Sequence, residues 1–435
     1  MASDKTKIIM AGAAGNALEF YDFTLYGFSA TLIGKLFFPS EDPILSIIGT
    51  WGTFAIGFFM RAFGAVVFGY IGDRFGRKKA LTLSIFLMGF PTLIMGLLPT
   101  YGEIGVIAPI LLVVCRILQG LSTGGAYNGS AIFALEHVGN DKPGLYTGFM
   151  TGGAFLGMSI AAIFASLALS PSMPSWAWRV PFVLGILISF VGLYIKKKLS
   201  ETPTFKKMQA EKNLAKIPLK EAFVNNKSAM TVIFMCGAVT GSTSHTLAGY
   251  LNGYLHDYLQ IPLYDCLQIS FAGLVTTMIA CPIMGYLFDK MGRTRFLTTI
   301  IPASIILVFL IFMGMHTREM PLLFLGAILL GLIVGSTTGP QHVLFVSLIP
   351  PRARYSGVSF AYSLGIGTLG GCTAIISNAI IHKTGNLYAT PMIMALYLTL
   401  ALIWYLIHYT RRKDKIRRGI LPENYEQMDH LPHVA

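Results

Sequence analysis

Gly69-Tyr-Ile-Gly-Asp73-Arg74-Phe-Gly76-Arg77-Lys78 and Gly285-Tyr-Leu-Phe-Asp289-Lys290-Met-Gly292-Arg293-Thr294 are two versions of one loop, 216 residues apart in a chain of 435. Each follows a long apolar run and keeps the same spacing of glycine, aspartate, glycine and arginine. A repeat at about half the chain length implies two related halves. Acid and arginine where a helix leaves an apolar layer, beside glycines that allow close approach, form a knot able to latch helix ends and release them. Gly69, Asp73, Arg74, Gly76, Arg77, Asp289 and Arg293 are therefore the expected gate on that side of the molecule.

The runs flanking these loops recur along the chain. Hydrophobic residues make up 54% and charged residues 12%, against about 25% charged in an ordinary soluble domain; mean hydropathy is +0.63. About 20 apolar residues cross a bilayer as a helix. Spans are expected near 8–34, 47–70, 80–98, 107–135, 146–169, 178–195, 229–251, 266–288, 296–315, 321–348, 356–381 and 389–409. The runs are continuous, unlike the segments of about ten alternating residues in a membrane β-barrel. The expected fold is an all-α membrane protein of twelve transmembrane helices in two six-helix bundles. Residues 1–195 would form the first bundle, 196–228 a linker, 229–410 the second bundle and 411–435 a tail. The first span is too long, and too acidic, for a cleaved signal peptide, and is expected to be retained.

The formal charge of +13 orients the chain rather than implying nucleic acid. With the N-terminus placed inside, 27 of the 33 Lys and Arg fall in inner connections, while Lys35, Arg318 and Lys383 fall outside. Arg61, Arg116 and Arg179 lie within spans or at their ends. This asymmetry predicts that both termini are cytoplasmic. The five cysteines, Cys115, Cys236, Cys266, Cys281 and Cys372, fall in or beside spans without paired spacing, and are expected to be packed free thiols. No phosphate loop, metal cluster or nucleophile triad stands out, so neither an enzyme, a cofactor nor a metal site is expected.

The GxxxDRxGRK loop, its second copy, and Arg116-Ile-Leu-Gln119-Gly120 resemble the major facilitator superfamily. Gly15-Asn16-Ala-Leu-Glu19-Phe-Tyr-Asp22-Phe23, Phe37-Phe-Pro39, Phe59-Met-Arg61, Trp178-Arg179-Val-Pro181-Phe182, Glu201-Thr-Pro203 and Arg354-Tyr-Ser-Gly357 resemble its metabolite:proton symporter branch. Within that branch the first sixty residues are most similar to the proline/betaine type. The resemblance implies a central cavity, substrate near the midplane and alternating access. It also implies a bacterial inner membrane. The chain departs from the branch at Gly124-Gly125-Ala126-Tyr127, where Gly-Gly-Glu-Tyr is usual.

Glu19 and Asp22 sit inside the first apolar run. An ionised acid at the centre of a membrane helix costs on the order of 2.5–3.5 kcal/mol, so such acids face a cavity or pair with a base. At about 100° per residue, Asn16, Glu19, Phe23 and Tyr26 share a face, with Asp22 beside it. A rise of about 1.5 Å per residue places Glu19 near mid-membrane and Asp22 at a depth similar to Arg116. Asp22 with Arg116 is the expected coupled pair, and Glu19 the central titratable group; the plain alternative is a helix-packing network.

Candidate lining residues are Asn16, Phe23, Tyr26, Arg61, Tyr127 and Asn128 in the first half, and His245 and Tyr250 in the second. His245 titrates near neutral pH if accessible. Tyr250 and Tyr254, four apart, suit either packing or a quaternary ammonium over a ring face. Gly148, Gly152, Gly153 and Gly157, with Gly365, Gly367, Gly370 and Gly371, read as surfaces of close helix contact. The function expected is proton-coupled import of a small polar organic solute such as proline or betaine, by a monomer. Alternatives are a di- or tricarboxylate symporter using Arg61 and Arg116, a uniporter or exchanger, and a non-transporting sensor.

Overall fold

A computed structural model describes residues 4–39, 43–139, 141–168, 170, 173–187, 190, 194 and 197–417. The described residues are helices and their connections, with no strand. In chain order the main helices are α1 (Asp4–Phe37), α2 (Pro43–Phe75), α3 (Arg77–Leu97), α4 (Ile107–Val138), α5 (Pro143–Ala168), α6 (Arg179–Val183), α7 (Pro203–Ala210) and α8 (Pro218–Asn225). They continue as α9 (Lys227–Tyr258), α10 (Leu263–Met291), α11 (Arg293–Met315), α12 (Met320–Thr338), α13 (Gln341–Leu348), α14 (Arg354–Gly365, then a π turn at Ile366–Gly370 and Gly371–Thr384) and α15 (Ala389–Arg417).

Among the described residues nine helices are long and apolar enough to cross a membrane, or ten when α8 and α9 are counted as one bent span. The later part of the span expected at 178–195 lies largely outside the described residues, as does the tail beyond 417. Large apolar side chains such as Phe59 and Ile375 are 74% and 70% exposed. Those surfaces suit acyl chains rather than water.

The two copies of the repeated loop have the same backbone reason for their glycines. Gly76 and Gly292 sit between consecutive helices with φ of +117° and +78°. L-side chains rarely adopt such angles, so each loop needs glycine there. In both copies the following arginine, Arg77 or Arg293, opens the next helix.

The chain divides into two compact units. The first comprises Met1–His137, Gly153–Leu219 and Pro351–Phe360; the second comprises Val138–Gly152, Lys220–Pro350 and Ala361–Ala435. The core of the first unit gathers Tyr21, Leu25, Tyr26 and Phe37 of α1 against Leu112 and Cys115 of α4, Ala161 of α5 and Phe182 of α6. In the second, Ala238 and Val239 of α9 pack with Ile301 of α11 and with Ile393, Tyr397 and Leu398 of α15.

Glycines set the spacing within each unit. A Cβ at Gly157 would collide with the Ala17 carbonyl, and one at Gly153 would come 2.6 Å from the Ala13 carbonyl, so α5 lies directly on the α1 backbone. In the second unit Gly148 meets the Cys281 carbonyl, and Gly370 would bring a Cβ 2.7 Å from the Gly241 Cα. Gly367 differs from expectation, since nothing lies within 4 Å of its Cβ position. Cys372 differs as well. The cysteines are free, but Cys372 is exposed, because it shares the outward face of α14 with Ile375 and Ile376.

Candidate functional site

The first unit buries an acid and base cluster among α1, α2, α3 and α4. Glu19, Asp22, Arg61, Arg116 and Gln119 are each at most 5% exposed. Asp22 and Arg116, paired in the sequence reading, are bridged by Gln119. Its amide nitrogen donates to Asp22 Oδ1 at 3.0 Å and to Thr92 Oγ1 at 2.9 Å. Its amide oxygen accepts from Arg116 Nη1 at 3.0 Å. One glutamine thus serves an anion and a cation at once, as its donor and acceptor ends allow.

The aromatics of the α1 stripe are turned to Arg116. Its guanidinium carbon lies 4.2 Å from the centroid of Tyr26 and 5.3 Å from that of Phe23. Such stacking compensates a buried guanidinium for lost water. Gly57 of α2 makes room, since a Cβ there would come 3.4 Å from Arg116 Nη2. One ring face each of Phe23 and Tyr26 therefore lies against a cation of the protein.

Glu19 is 3% exposed, and its Oε1 lies buried without a hydrogen-bond partner. It lines a cavity of about 10 Å³ with Gly12, Asn16, Met88, Ala126 and Ser130, about the size of one water. Asn16 Oδ1 accepts from the Ser130 hydroxyl at 2.8 Å. Ala126, where the resembled branch has an acid, is on the wall of this cavity beside Glu19. Arg61 is buried in the same unit. Tyr127 packs edge-on to Phe20, with centroids 5.3 Å apart. Asn128 is fully buried, and both polar atoms of its amide lack a partner.

His245 and Tyr250 belong to the second unit. Tyr250 donates to Asn378 Oδ1 at 2.9 Å, an oxygen that also accepts from Tyr258 at 3.0 Å. Tyr254 is buried and donates to the Leu387 carbonyl at 3.0 Å. The tyrosines pack tilted against one another, with Tyr250 and Tyr254 centroids 6.1 Å apart. Two π turns, at Thr246–Tyr250 and Tyr254–Tyr258, carry them.

The repeated loop makes equivalent contacts in the two units. In the first, Asp73 accepts the backbone N–H groups of Tyr355 at 3.1 Å and Ser356 at 2.9 Å, at the start of α14. In the second, Asp289 accepts those of Gly144 at 2.8 Å and Leu145 at 2.9 Å, at the start of α5. A helix start has N–H groups without helical partners and a partial positive charge, so a carboxylate fits both needs. Gly69 allows the approach, since a Cβ there would come 2.6 Å from the Ser356 Cα.

Around Asp73 the expected knot extends into a network through Glu136, which sequence reasoning missed. Arg77 ion-pairs with Asp73 at 3.3 Å and with Glu136 at 3.3 Å. It also donates to the carbonyls of Gly72 and Pro351. Glu136 pairs with Arg354 at 2.9 Å and accepts from the Thr202 hydroxyl at 2.7 Å. Glu201 accepts the Lys78 N–H at the start of α3, and Arg74 donates to the Lys216 carbonyl at 3.2 Å. An acid at the very end of an apolar run, as in Ala134-Leu135-Glu136-His137, was the available signal for Glu136. Arg293 is buried at the start of α11.

Paired buried charges in a multi-span helical scaffold, with mirrored latches at helix starts, are the apparatus of a membrane transporter rather than of an enzyme. A Major Facilitator Superfamily model matches residues 13–365, and the chain belongs to that superfamily. The glycine betaine/proline/ectoine/pipecolic acid transporter OusA of Dickeya dadantii (strain 3937) is 31% identical over 395 residues, covering 88% of this chain and 79% of the relative. The proline/betaine transporter of Escherichia coli (strain K12) is 30% identical over 428 residues, covering 95% and 84%. The inner membrane metabolite transport protein YhjE of the same strain is 32% identical over 427 residues, covering 95% and 96%. Among solved structures, a double tryptophan mutant of XylE matches with a TM-score of 0.76 at 15% identity, covering 99% of both chains. The fold is therefore the major facilitator fold, and the protein is a multi-pass membrane transporter. The relatives bear out the resemblance seen in the loop and first-span motifs.

Proposed function

We propose that this transporter imports a small zwitterionic solute of the proline or betaine type together with protons, by alternating access between two six-helix bundles at 1–195 and 229–410. It would act as a monomer in a bacterial inner membrane, with both termini in the cytoplasm. The observation that carries the coupling is that two acids, Glu19 and Asp22, and two arginines, Arg61 and Arg116, are all buried in one unit. Balanced buried charge is tolerable in a membrane, and one added proton unbalances it. Glu19, with an unpartnered oxygen on a small cavity, is the group that takes the proton. Asp22 and Arg116, held by Gln119, are the second coupled element.

Asn16, Phe23, Tyr26, Arg61, Tyr127 and Asn128, with His245 and Tyr250, are the proposed solute contacts. The Asn128 amide, buried without partners, supports a polar ligand on α4. The relatives' names support the solute class. The carboxylate-symporter alternative is disfavoured by Arg116, whose guanidinium is bonded to Gln119 and stacked on two rings. Gly69, Asp73, Arg74, Gly76, Arg77, Asp289 and Arg293 would form the cytoplasmic gate. One proton crossing 100 mV supplies about 2.3 kcal/mol, roughly fifty-fold accumulation.

The test is uptake of labelled glycine betaine into proteoliposomes under an inward proton gradient, challenged with unlabelled proline, citrate and 2-oxoglutarate. Gradient-driven uptake blocked by proline alone, and uncoupled by Glu19→Gln, is the expected result. Gradient-driven uptake that survives Glu19→Gln would remove Glu19 from the coupling. Blockage by citrate would transfer the protein to the carboxylate class.

A further inference from the structure

We propose that residues 216–227 form a membrane-surface anchor that binds anionic lipid headgroups on the side where the linker emerges. The helix α8 meets α9 at 100°. If α9 enters the bilayer near its normal, a segment at that angle lies along the interface. One face of α8 packs inward through Pro218 and Ala222. The other exposes Phe223 at 44% and Val224 at 60%, and Ile217, just ahead of the helix, is 60% exposed. Lys220 is exposed on that same face, Lys216 is exposed just ahead of the helix, and exposed Lys227 opens α9.

Large apolar side chains held out beside a membrane span are covered when they dip into the boundary between headgroups and acyl chains. The lysine stems then run along the same boundary while their ammonium groups reach the phosphates. Charge selects this occupant. From 206 to 227 the chain exposes Lys206, Lys207, Lys212, Lys216, Lys220 and Lys227, while its only acids are Glu211 and Glu221. A basic cluster next to a membrane helix is attracted to an anionic leaflet, whereas a second copy would present the same positive charge. Arg74 of the repeated loop donates to the carbonyls of Ala215 and Lys216, which fixes the chain just ahead of α8. That the leaflet is the cytoplasmic one rests on the proposed orientation; the lipid contact itself does not rest on transport.

The test is hydrogen exchange of peptides covering 216–227 in the full chain, held as one copy per nanodisc. The discs contain either phosphatidylcholine alone or phosphatidylcholine with one part in three of phosphatidylglycerol. Exchange is expected to be at least about fivefold slower in the anionic discs, with the α9 segment 230–240 unchanged as a folding control. The triple variant Lys216→Gln, Lys220→Gln, Lys227→Gln is expected to abolish the difference. Equal exchange in the two lipids would overturn the anchor. So would protection that disappears when residues 418–435 are deleted, which would make the acidic tail the occupant, or protection that needs two copies per disc. None of these readouts depends on uptake, so a failed transport assay leaves the lipid result standing.

Discussion

Asp289 accepts the Gly144 N–H at 2.8 Å, and this contact is the counterpart in the second unit of the Asp73 bond to Ser356 at 2.9 Å in the first. Two copies of one sequence loop thus anchor two helix starts, α5 and α14, by the same chemistry. The repeat is conserved within the chain as a function of its carboxylate, since the neighbouring Arg74 becomes Lys290 in the second copy.

Replacing Asp289 by Ala removes acceptors from both Gly144 and Leu145. The loss is expected to cost about 1–2 kcal/mol, with Asp289→Asn recovering part of it. Thermal unfolding of the purified protein measures both. An unchanged midpoint for Asp289→Ala would mean that the cap contributes nothing.

Glu136 stands between two cations, Arg77 and Arg354. Glu136→Gln takes the counter-ion from part-buried Arg354 and one of two from buried Arg77, which keeps Asp73, at a cost of about 1–3 kcal/mol. Adding Arg354→Gln to that variant removes one stranded charge and should restore part of the stability. A double-mutant cycle on unfolding midpoints reads the coupling, and strict additivity of the two changes would refute it.

Gly157→Ala drives a methyl group into the Ala17 carbonyl of α1. Such overpacking is expected to cost about 1–3 kcal/mol. Gly314→Ala in α11 meets open space and should be neutral or stabilising by up to about 1 kcal/mol. Similar midpoints for the two variants would contradict the close contact of α1 with α5.

His316 lies just beyond the end of α11, and burial holds its imidazole below the ordinary value of 6.5. Because Tyr254 gives its hydroxyl hydrogen to the Leu387 carbonyl, its oxygen is left to accept from the His316 Nε2–H at 2.6 Å. The folded chain resists protonation that the unfolded chain accepts. The resulting stability term is fully present above pH 6.5 and is lost as pH falls below it. Unfolding midpoints measured at pH 5 and pH 8 should differ more for the wild type than for His316→Asn. An equal drop in both proteins would exclude His316 as the source.

Much of the fold was legible because its signals are local. Long apolar runs marked the helices, and the glycines of the repeated loop marked a close approach, which Gly69 makes at Ser356. The positive φ of Gly76 and Gly292 was not part of that reading. The acid stripe of α1 was legible for the same reason, since Asn16, Glu19, Phe23 and Tyr26 share a face by spacing alone.

What only tertiary structure decided are the partners. Asp73 meets a backbone 282 residues away at Tyr355, and Asp289 one 145 residues away at Gly144. Arg116 lies over Phe23 and Tyr26 and reaches Asp22 through Gln119, and Glu136 joins Arg77 to Arg354. Spacing along a helix specifies which side chains share a face. It does not specify which face of another helix comes to meet them. That is settled by glycine contacts such as Gly157 on Ala17, where two backbones touch and fix the register of everything around them.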